Sequence, residues 1–201
     1  RAGGPIPKQW QRIGMQRVID HTLQIFNCHP QIDRSVVVLH PDDVPHFFHS
    51  NEVVLGGITR QKSVLNGLIF LKADPPDIVL IHDAARATVP KFVIDNVIKA
   101  LGAYDGAAPA LPVTDALWKG SNDVVEYSIP SAGVFRAQTP QGFHFAAILA
   151  AHQTASEFAR DDVDVALNAG LTVKIVYGSE RNIKITQPED FKRAEQFLKD
   201  Q

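Results

Sequence analysis

Short runs of apolar, largely β-branched residues alternate along the chain with longer segments whose apolar residues recur every three or four positions. Ser35–His40 and Asp77–His82 are runs of strand length, and so are Ala107–Leu111 and Val173–Tyr177. Their continuous apolar character suits strands covered on both faces. Helical spacing predicts helices at about Met15–Phe26, Gln61–Leu71, Pro90–Leu101, Phe145–Phe158 and Pro188–Leu198. In the third of these, Pro90 suits a helix start, and Phe92, Val93, Val97 and Leu101 form a stripe. In the last, Pro188-Glu189-Asp190 sets acidic groups at the positive end of the helix dipole.

Strands alternating with helices predict an α/β fold with a mostly parallel sheet and helices on both faces. Such sheets bind ligands beyond the carboxyl ends of their strands, so functional residues are expected just after the apolar runs. Thr114–Ser131 breaks the alternation with polar residues, a Gly-Ser-Asn turn and the strand-like Val124–Ile129. It reads as an excursion from the main sheet, either an extended arm or an ordinary surface hairpin. No repeat or linker divides the chain, so one domain over residues 1–201 is expected, with an arm at about 114–131.

Composition narrows the function classes. The chain has 201 residues, and 20 Lys and Arg stand against 22 Asp and Glu, so no global field draws nucleic acid or an anionic membrane. An anion site must be built locally. One cysteine, Cys28, excludes an internal disulfide and fits a reducing cytoplasm. No apolar run approaches the ~20 residues of a membrane-spanning helix. The chain opens with Arg1-Ala2-Gly3-Gly4-Pro5, inside what reads as a loop, which predicts further residues ahead of Arg1.

Five segments carry candidate chemistry. In Arg1–Gln9, glycines allow backbone amides to approach an anion while Arg1 and Lys8 add charge; the alternative is a flexible basic terminus. Gly56-Gly57-Ile58-Thr59-Arg60-Gln61-Lys62-Ser63 follows Val53–Leu55 and precedes a helix, as a cradle for a base or phosphate or as a tight turn with a cap. Asp83 directly follows the run ending at His82, where a carboxylate suits Mg2+ carried on phosphate oxygens. Arg86 could grip phosphate bidentately, or simply pair with Asp83. Arg136–Phe143 is too polar for a buried strand and is expected to be a constrained loop. Lys184 sits in a strand-like stretch before the last helix, placed to reach a phosphate or to face solvent. His40, His46 and His49 lie in a polar turn with Asp42, Asp43 and Pro45, which argues against zinc.

Jointly the strings RAGGPIPKQW, LGGITRQKSVLNGL, VLIHDAAR, AQTPQGF and NIKITQPED resemble the 2-C-methyl-D-erythritol 4-phosphate cytidylyltransferases (4-diphosphocytidyl-2-C-methyl-D-erythritol synthases), from Arg1 almost to the end of the chain. The resemblance implies a Rossmann-like nucleotidyltransferase, a three-layer sandwich with a protruding β-arm. It implies transfer of a cytidylyl group from CTP to 2-C-methyl-D-erythritol 4-phosphate in non-mevalonate isoprenoid biosynthesis. Arg1, Lys8 and Lys184 would be catalytic. Gly57, Arg60 and Ser63 would seat the cytidine, and Asp83 would hold Mg2+ at the triphosphate. Arg86, Thr139 and Lys184 would hold the polyol phosphate, and a homodimer would form through the arm. In some members this domain precedes a cyclodiphosphate synthase domain, so a longer parent chain is compatible.

Three departures stand out, the first two in the arm that in the family reaches the polyol phosphate. Ala116, Leu117 and Trp118 stand where the family has Thr, an apolar residue and Lys; Ser131 replaces an arginine; Arg160-Asp161-Asp162-Val163 replaces Thr-Asp-Asp/Glu-Ala. They keep open a cytidylyltransferase for another polyol phosphate such as ribitol 5-phosphate, and a catalytically inactive nucleotide-binding homologue. A dinucleotide oxidoreductase lacks support, because no complete G-x-G-x-x-G follows a strand.

Overall fold

The computed structural model describes residues 6–156 and 159–200. After a 3₁₀ turn at Lys8–Trp10 the chain forms a small hairpin, β1 (Arg12–Ile13) and β2 (Gln16–Arg17), then α1 (Val18–Asn27). The helix expected from Met15 therefore starts later. The chain turns through Gly14 and an exposed Met15, and Asp20 accepts the Arg17 backbone N–H at 2.8 Å to begin the helix at Val18. Next come β3 (Val36–Leu39), a 3₁₀ turn (Pro41–His46), β4 (Glu52–Leu55), α2 (Arg60–Leu71), β5 (Ile78–Ile81) and α3 (Lys91–Ala100). They are followed by β6 (Gly106–Pro112), the hairpin β7 (Leu117–Ser121) and β8 (Val124–Ile129), β9 (Phe135–Ala137) and β10 (Gln141–His144). The chain closes with α4 (Phe145–Thr154), α5 (Asp162–Asn168), β11 (Val173–Tyr177) and α6 (Pro188–Lys199).

The α/β class is as expected, but the central sheet is mixed rather than mostly parallel. Its order is β11-β6-β10-β5, with β9 on the carboxyl half of β6. The strands β5, β6 and β11 share one direction, and β10 is inserted antiparallel between β5 and β6. The parallel pair β3–β4 forms a separate two-stranded sheet.

Residues 135–144 thus correct the expectation of a loop: most are sheet, and only Gln138–Pro140 turn between strands. The polar side chain that argued against a buried strand finds its partners across the fold. Gln141 accepts the backbone N–H groups of Asp162 and Val163 at 3.2 Å each and donates to Asp161 at 2.9 Å. A fully satisfied amide costs little to bury.

Alternation along β10 shows how both faces are covered. Phe143 packs with Leu68, Ile148, Leu149 and Val165, from α2, α4 and α5. On the opposite face α3 presses so close that a β-carbon at Gly142 would lie 2.5 Å from Val97. The hairpin β7–β8 belongs to neither layer. It pairs only with itself, and Trp118, Val124, Val125 and Tyr127 are exposed. Among the described residues no helix is long and apolar enough to cross a membrane.

Candidate active site

Asp83 leaves the carboxyl end of β5, and the antiparallel register that sets Gln141 opposite Ile81 brings Thr139 beside it. The Asp83 backbone N–H donates to Thr139 Oγ1 at 3.2 Å, and Thr139 lies 3.0 Å from His82 Nδ1. His82 Nε2 faces the carbonyl of Arg86 at 3.2 Å. A carbonyl only accepts, so Nε2 carries the proton, Nδ1 accepts from the Thr139 hydroxyl, and that oxygen accepts from Asp83. Burial pushes the His82 imidazole down to about 4, so the ring is neutral near pH 7 and the chain of bonds is stable there.

Around Asp83 the structure gathers cations from three distant segments. The Lys184 ammonium lies 3.1 Å from Oδ2, and Arg86 Nε is 3.4 Å from the same oxygen. Burial pushes the Asp83 carboxyl up, but Lys184 first and Arg86 after it outweigh that effect and hold the group below its ordinary value. Lys8 shares this field. Burial, then the charge of Lys184, pull its ammonium below its ordinary value; Asp83 opposes them, and Arg86 adds to them. Lys8, Arg86 and Lys184 outnumber the two carboxylates that act on them, Asp83 and the more distant Asp190, so the site carries net positive charge.

The turn carrying Lys8 is clamped from outside. Gln9 and Trp10 donate to the two oxygens of Asp43 at 3.3 and 2.7 Å. The segment carrying Lys184 is not the strand expected but an irregular stretch, joined to the loop after Asp83 by one backbone bond, Ile185 N–H to the Ala85 carbonyl at 2.9 Å. Buried Asn182 donates to the Thr139 carbonyl at 2.8 Å, and Gln138 donates to that of Ser179 at 2.8 Å. These bonds tie the Lys184 segment to the Gln138–Pro140 turn.

Two residues expected at the acceptor are engaged within the protein itself. Arg86 is buried, and its guanidinium donates to the carbonyls of Asn182 at 2.7 Å and Ala137 at 3.5 Å as well as to Asp83. In this arrangement the guanidinium ties the Asp83 loop to the segment that carries Lys184. Thr139 is likewise buried, with its hydroxyl committed to His82 and Asp83.

The Gly56–Ser63 loop follows β4 as expected. Thr59 caps α2 by accepting the Lys62 N–H at 3.1 Å. Ser63 Oγ accepts the Gly57 N–H at 3.0 Å and donates to the Thr59 carbonyl at 2.9 Å, so it folds the loop back on itself. Only glycine fits at 57, since a β-carbon there would lie 2.4 Å from the Lys62 side chain. Arg60 reaches Asp162 at 2.6 Å. Burial lowers its guanidinium, but Asp162 more than offsets this, with Asp83 adding to the effect, so the loop lies in the electrostatic field of Asp83.

For a metal, Asp83 is the carboxylate in place; among the described residues no three His, Cys, Asp or Glu side chains converge. The contacts from Lys184 and Arg86 both fall on Oδ2, so neither takes Oδ1. Arg1 lies outside the described residues. Sequence reasoning missed His82, Gln138, Asn182 and the Asp161–Asp162 pair. Each lies in a string already singled out for resembling the family or departing from it, but no role was attached to it there.

A family model for 2-C-methyl-D-erythritol 4-phosphate cytidylyltransferase matches residues 1–200. The chain is 49% identical to a protein of that name from Roseobacter denitrificans, covering 99% of this chain and 91% of the relative. It is 48% identical to a bifunctional enzyme IspD/IspF from Dinoroseobacter shibae, covering all of this chain and 51% of that one. A crystal structure of a 4-diphosphocytidyl-2C-methyl-D-erythritol synthase superposes with a TM-score of 0.87 at 31% identity, over 95% of this chain and 94% of the other. The chain therefore belongs to the 2-C-methyl-D-erythritol 4-phosphate cytidylyltransferase family.

Proposed function

We propose that this chain transfers the cytidylyl group of CTP to 2-C-methyl-D-erythritol 4-phosphate at the cluster around Asp83, releasing pyrophosphate. A phosphate oxygen of the acceptor attacks the α-phosphorus of CTP. The new P–O bond forms as the bond to the β,γ-diphosphate breaks, and the leaving pyrophosphate takes the electron pair. The attacking phosphate is already anionic, so no general base is needed, and catalysis rests on alignment and charge neutralisation. Lys8 and Lys184 face the charge that develops on the α-phosphoryl oxygens, with Arg1 joining them from the segment before Lys8. The Gly57–Ser63 loop seats the cytidine, with Arg60 at its helix end. Arg86, His82 and Thr139 hold Asp83 and the Lys184 segment in place, while Lys184 also faces the acceptor phosphate.

Asp83 is a single fixed carboxylate rather than a cage, which fits a divalent cation that brings phosphate and water oxygens with it. Mg2+ held there would offset the charge of the triphosphate and of the departing pyrophosphate.

The observation that carries this reading is the pairing of Lys184 with Asp83 at 3.1 Å, with Lys8, from a third segment of the chain, in the same electrostatic field. The test is pyrophosphate release from CTP, Mg2+ and a panel of polyol phosphates. Release with the methylerythritol phosphate, abolished in Lys8→Ala, is expected. Preference for ribitol 5-phosphate would reassign the acceptor, and no release with any acceptor would remove the enzymatic reading.

The β7–β8 hairpin supports a homodimer. An isolated two-stranded ribbon is marginal in water, and this one presents Trp118, Val124, Val125 and Tyr127 to solvent. A second copy of the chain is the partner that would cover them.

A further inference from the structure

Behind Arg60 lie two buried groups that the reaction just described does not use. Asp162 opens α5, and its side chain is wholly shut off from solvent. Its Oδ2 receives the Arg60 guanidinium at 2.6 Å. Its Oδ1 faces Nε2 of His152 at 3.2 Å, and the His152 side chain, in the last turn of α4, is equally closed off. Elsewhere α4 buries Phe145, Ile148, Leu149 and Ala151, and an apolar residue would suit position 152 by the same logic. Burying an imidazole and a carboxylate is costly unless they are paired and hydrogen-bonded, and here both ring nitrogens and Oδ1 lack an aligned hydrogen-bond partner, which marks the site as retained at a cost.

Arg60 bonds to Oδ2, while the His152 ring lies against Oδ1 at 3.2 Å without the alignment of a hydrogen bond, so one side of the carboxylate is held by Arg60 and the other is walled by the imidazole. Burial pushes the Asp162 carboxyl up, and the contacts from His152 and then Arg60 outweigh it, so the group stays ionised. The outer end of this chain is at the nucleotide loop. Arg60 is 41% exposed, and it starts the helix that follows Gly57.

We propose that His152 is a positioning residue for the nucleotide: through Asp162 it fixes the Arg60 guanidinium in the orientation that receives CTP. This rests on the placement of Arg60 at the nucleotide made above. Neither His152 nor Asp162 touches substrate; they act by restricting a long, flexible side chain before the ligand arrives, which lowers the entropy lost on binding.

The experiment measures the affinity for CTP with Mg2+ by calorimetry, together with kcat, both KM values and thermal melting. The variants are Arg60→Ala, His152→Leu, His152→Gln and the Arg60→Ala/His152→Leu double. Arg60→Ala is expected to weaken CTP binding about 10- to 100-fold, as loss of a charge-assisted contact does. His152→Leu is expected to weaken it about 5-fold, on the scale of one immobilised side chain, with kcat at saturating CTP and the acceptor KM within about twofold of the parent. His152→Gln, whose amide can still reach Oδ1, recovers most of the loss. In the double variant the histidine change adds nothing to the arginine change, because the two residues act as one unit.

A folded His152→Leu protein that binds CTP like its parent overturns the proposal, and so does a double variant in which the two losses multiply. Should His152→Leu fail to fold, His152→Asn takes its place: polar but too short to reach Oδ1, it carries the same expected loss, and parental binding by it is equally fatal. Unchanged CTP binding in Arg60→Ala removes the placement of Arg60 and the proposal with it. An inert His152 beside a sensitive Arg60 removes the proposal alone.

Discussion

The ammonium of Lys184 lies 3.1 Å from the carboxylate of Asp83, although one precedes the last helix and the other ends β5. In the absence of substrate this ion pair keeps Lys184 from folding away into solvent, and it leaves the lysine aimed at the place where phosphate oxygens would gather. Lys184→Ala is therefore expected to lower kcat by about 10²- to 10³-fold, the usual loss for one donor that faces transition-state charge. Thermal melting should barely move, because the lysine is 44% exposed. Steady-state kinetics beside a melting curve checks both halves, and a large stability loss with intact kcat would contradict the assignment.

Lys8 works as a cation, and its ammonium sits below the ordinary 10.5 because of burial and then of Lys184. A group whose charged form is active loses activity as pH rises through its pKa. The alkaline limb of kcat/KM, which reports the free enzyme, is expected to fall below pH 10.5. Lys8→Arg should shift that limb upward, because a guanidinium stays protonated. A limb that does not move would mean that another group sets it.

Neutral His82 gives the fold an acid sensitivity. Between the ordinary 6.5 and the folded value of about 4, the unfolded chain binds a proton that the native chain does not, so stability rises with pH across this window and falls as pH drops through it. The loss from this one group is on the order of 3 kcal/mol. Urea denaturation at several pH values between 4 and 7 reads it. His82→Gln should flatten the dependence; an unchanged slope would count against a buried neutral imidazole.

If Arg86 is a brace, removing it damages the fold before it damages binding. Arg86→Ala removes a buried guanidinium that bonds the Asn182 and Ala137 carbonyls and pairs with Asp83, leaving Asp83 to Lys184 and the Asn182 carbonyl to Gln138, and a loss of about 3 kcal/mol is expected, at the low end for breaking a buried ion pair. Chemical denaturation measures it. A variant of normal stability whose only defect is a raised acceptor KM would restore Arg86 to the role of phosphate ligand.

The hairpin makes an independent claim. Trp118→Glu together with Val125→Asp should convert a dimer to a monomer in light scattering while the melting curve of the rest of the chain is retained. Both side chains are exposed in the single chain, at 66% and 54%, so neither change disturbs the core. A parent protein that is already monomeric at micromolar concentration would remove the arm as an interface.

Strand runs such as Val36–Leu39 and Ile78–Ile81, the helices α2, α3, α4 and α6, and the placement of Gly57 and Asp83 after strands could all be read along the chain. Each depends on local periodicity or on a turn residue, and local preferences are written in adjacent positions. The same holds for Lys8, Arg60 and Lys184 as cations worth watching, because charge is a property of the residue itself. What adjacent positions do not carry is the identity of a partner far away. That β10 runs antiparallel through the middle of the sheet depends on Gln141 finding Asp161, Asp162 and Val163. That the Arg86 guanidinium finds bonding partners inside the protein depends on carbonyls contributed by Ala137 and Asn182. Whether a polar group is buried and satisfied or left exposed is settled by long-range packing, and so only the assembled fold showed that Arg86 and Thr139 are buried while Arg60 and Lys184 remain partly exposed.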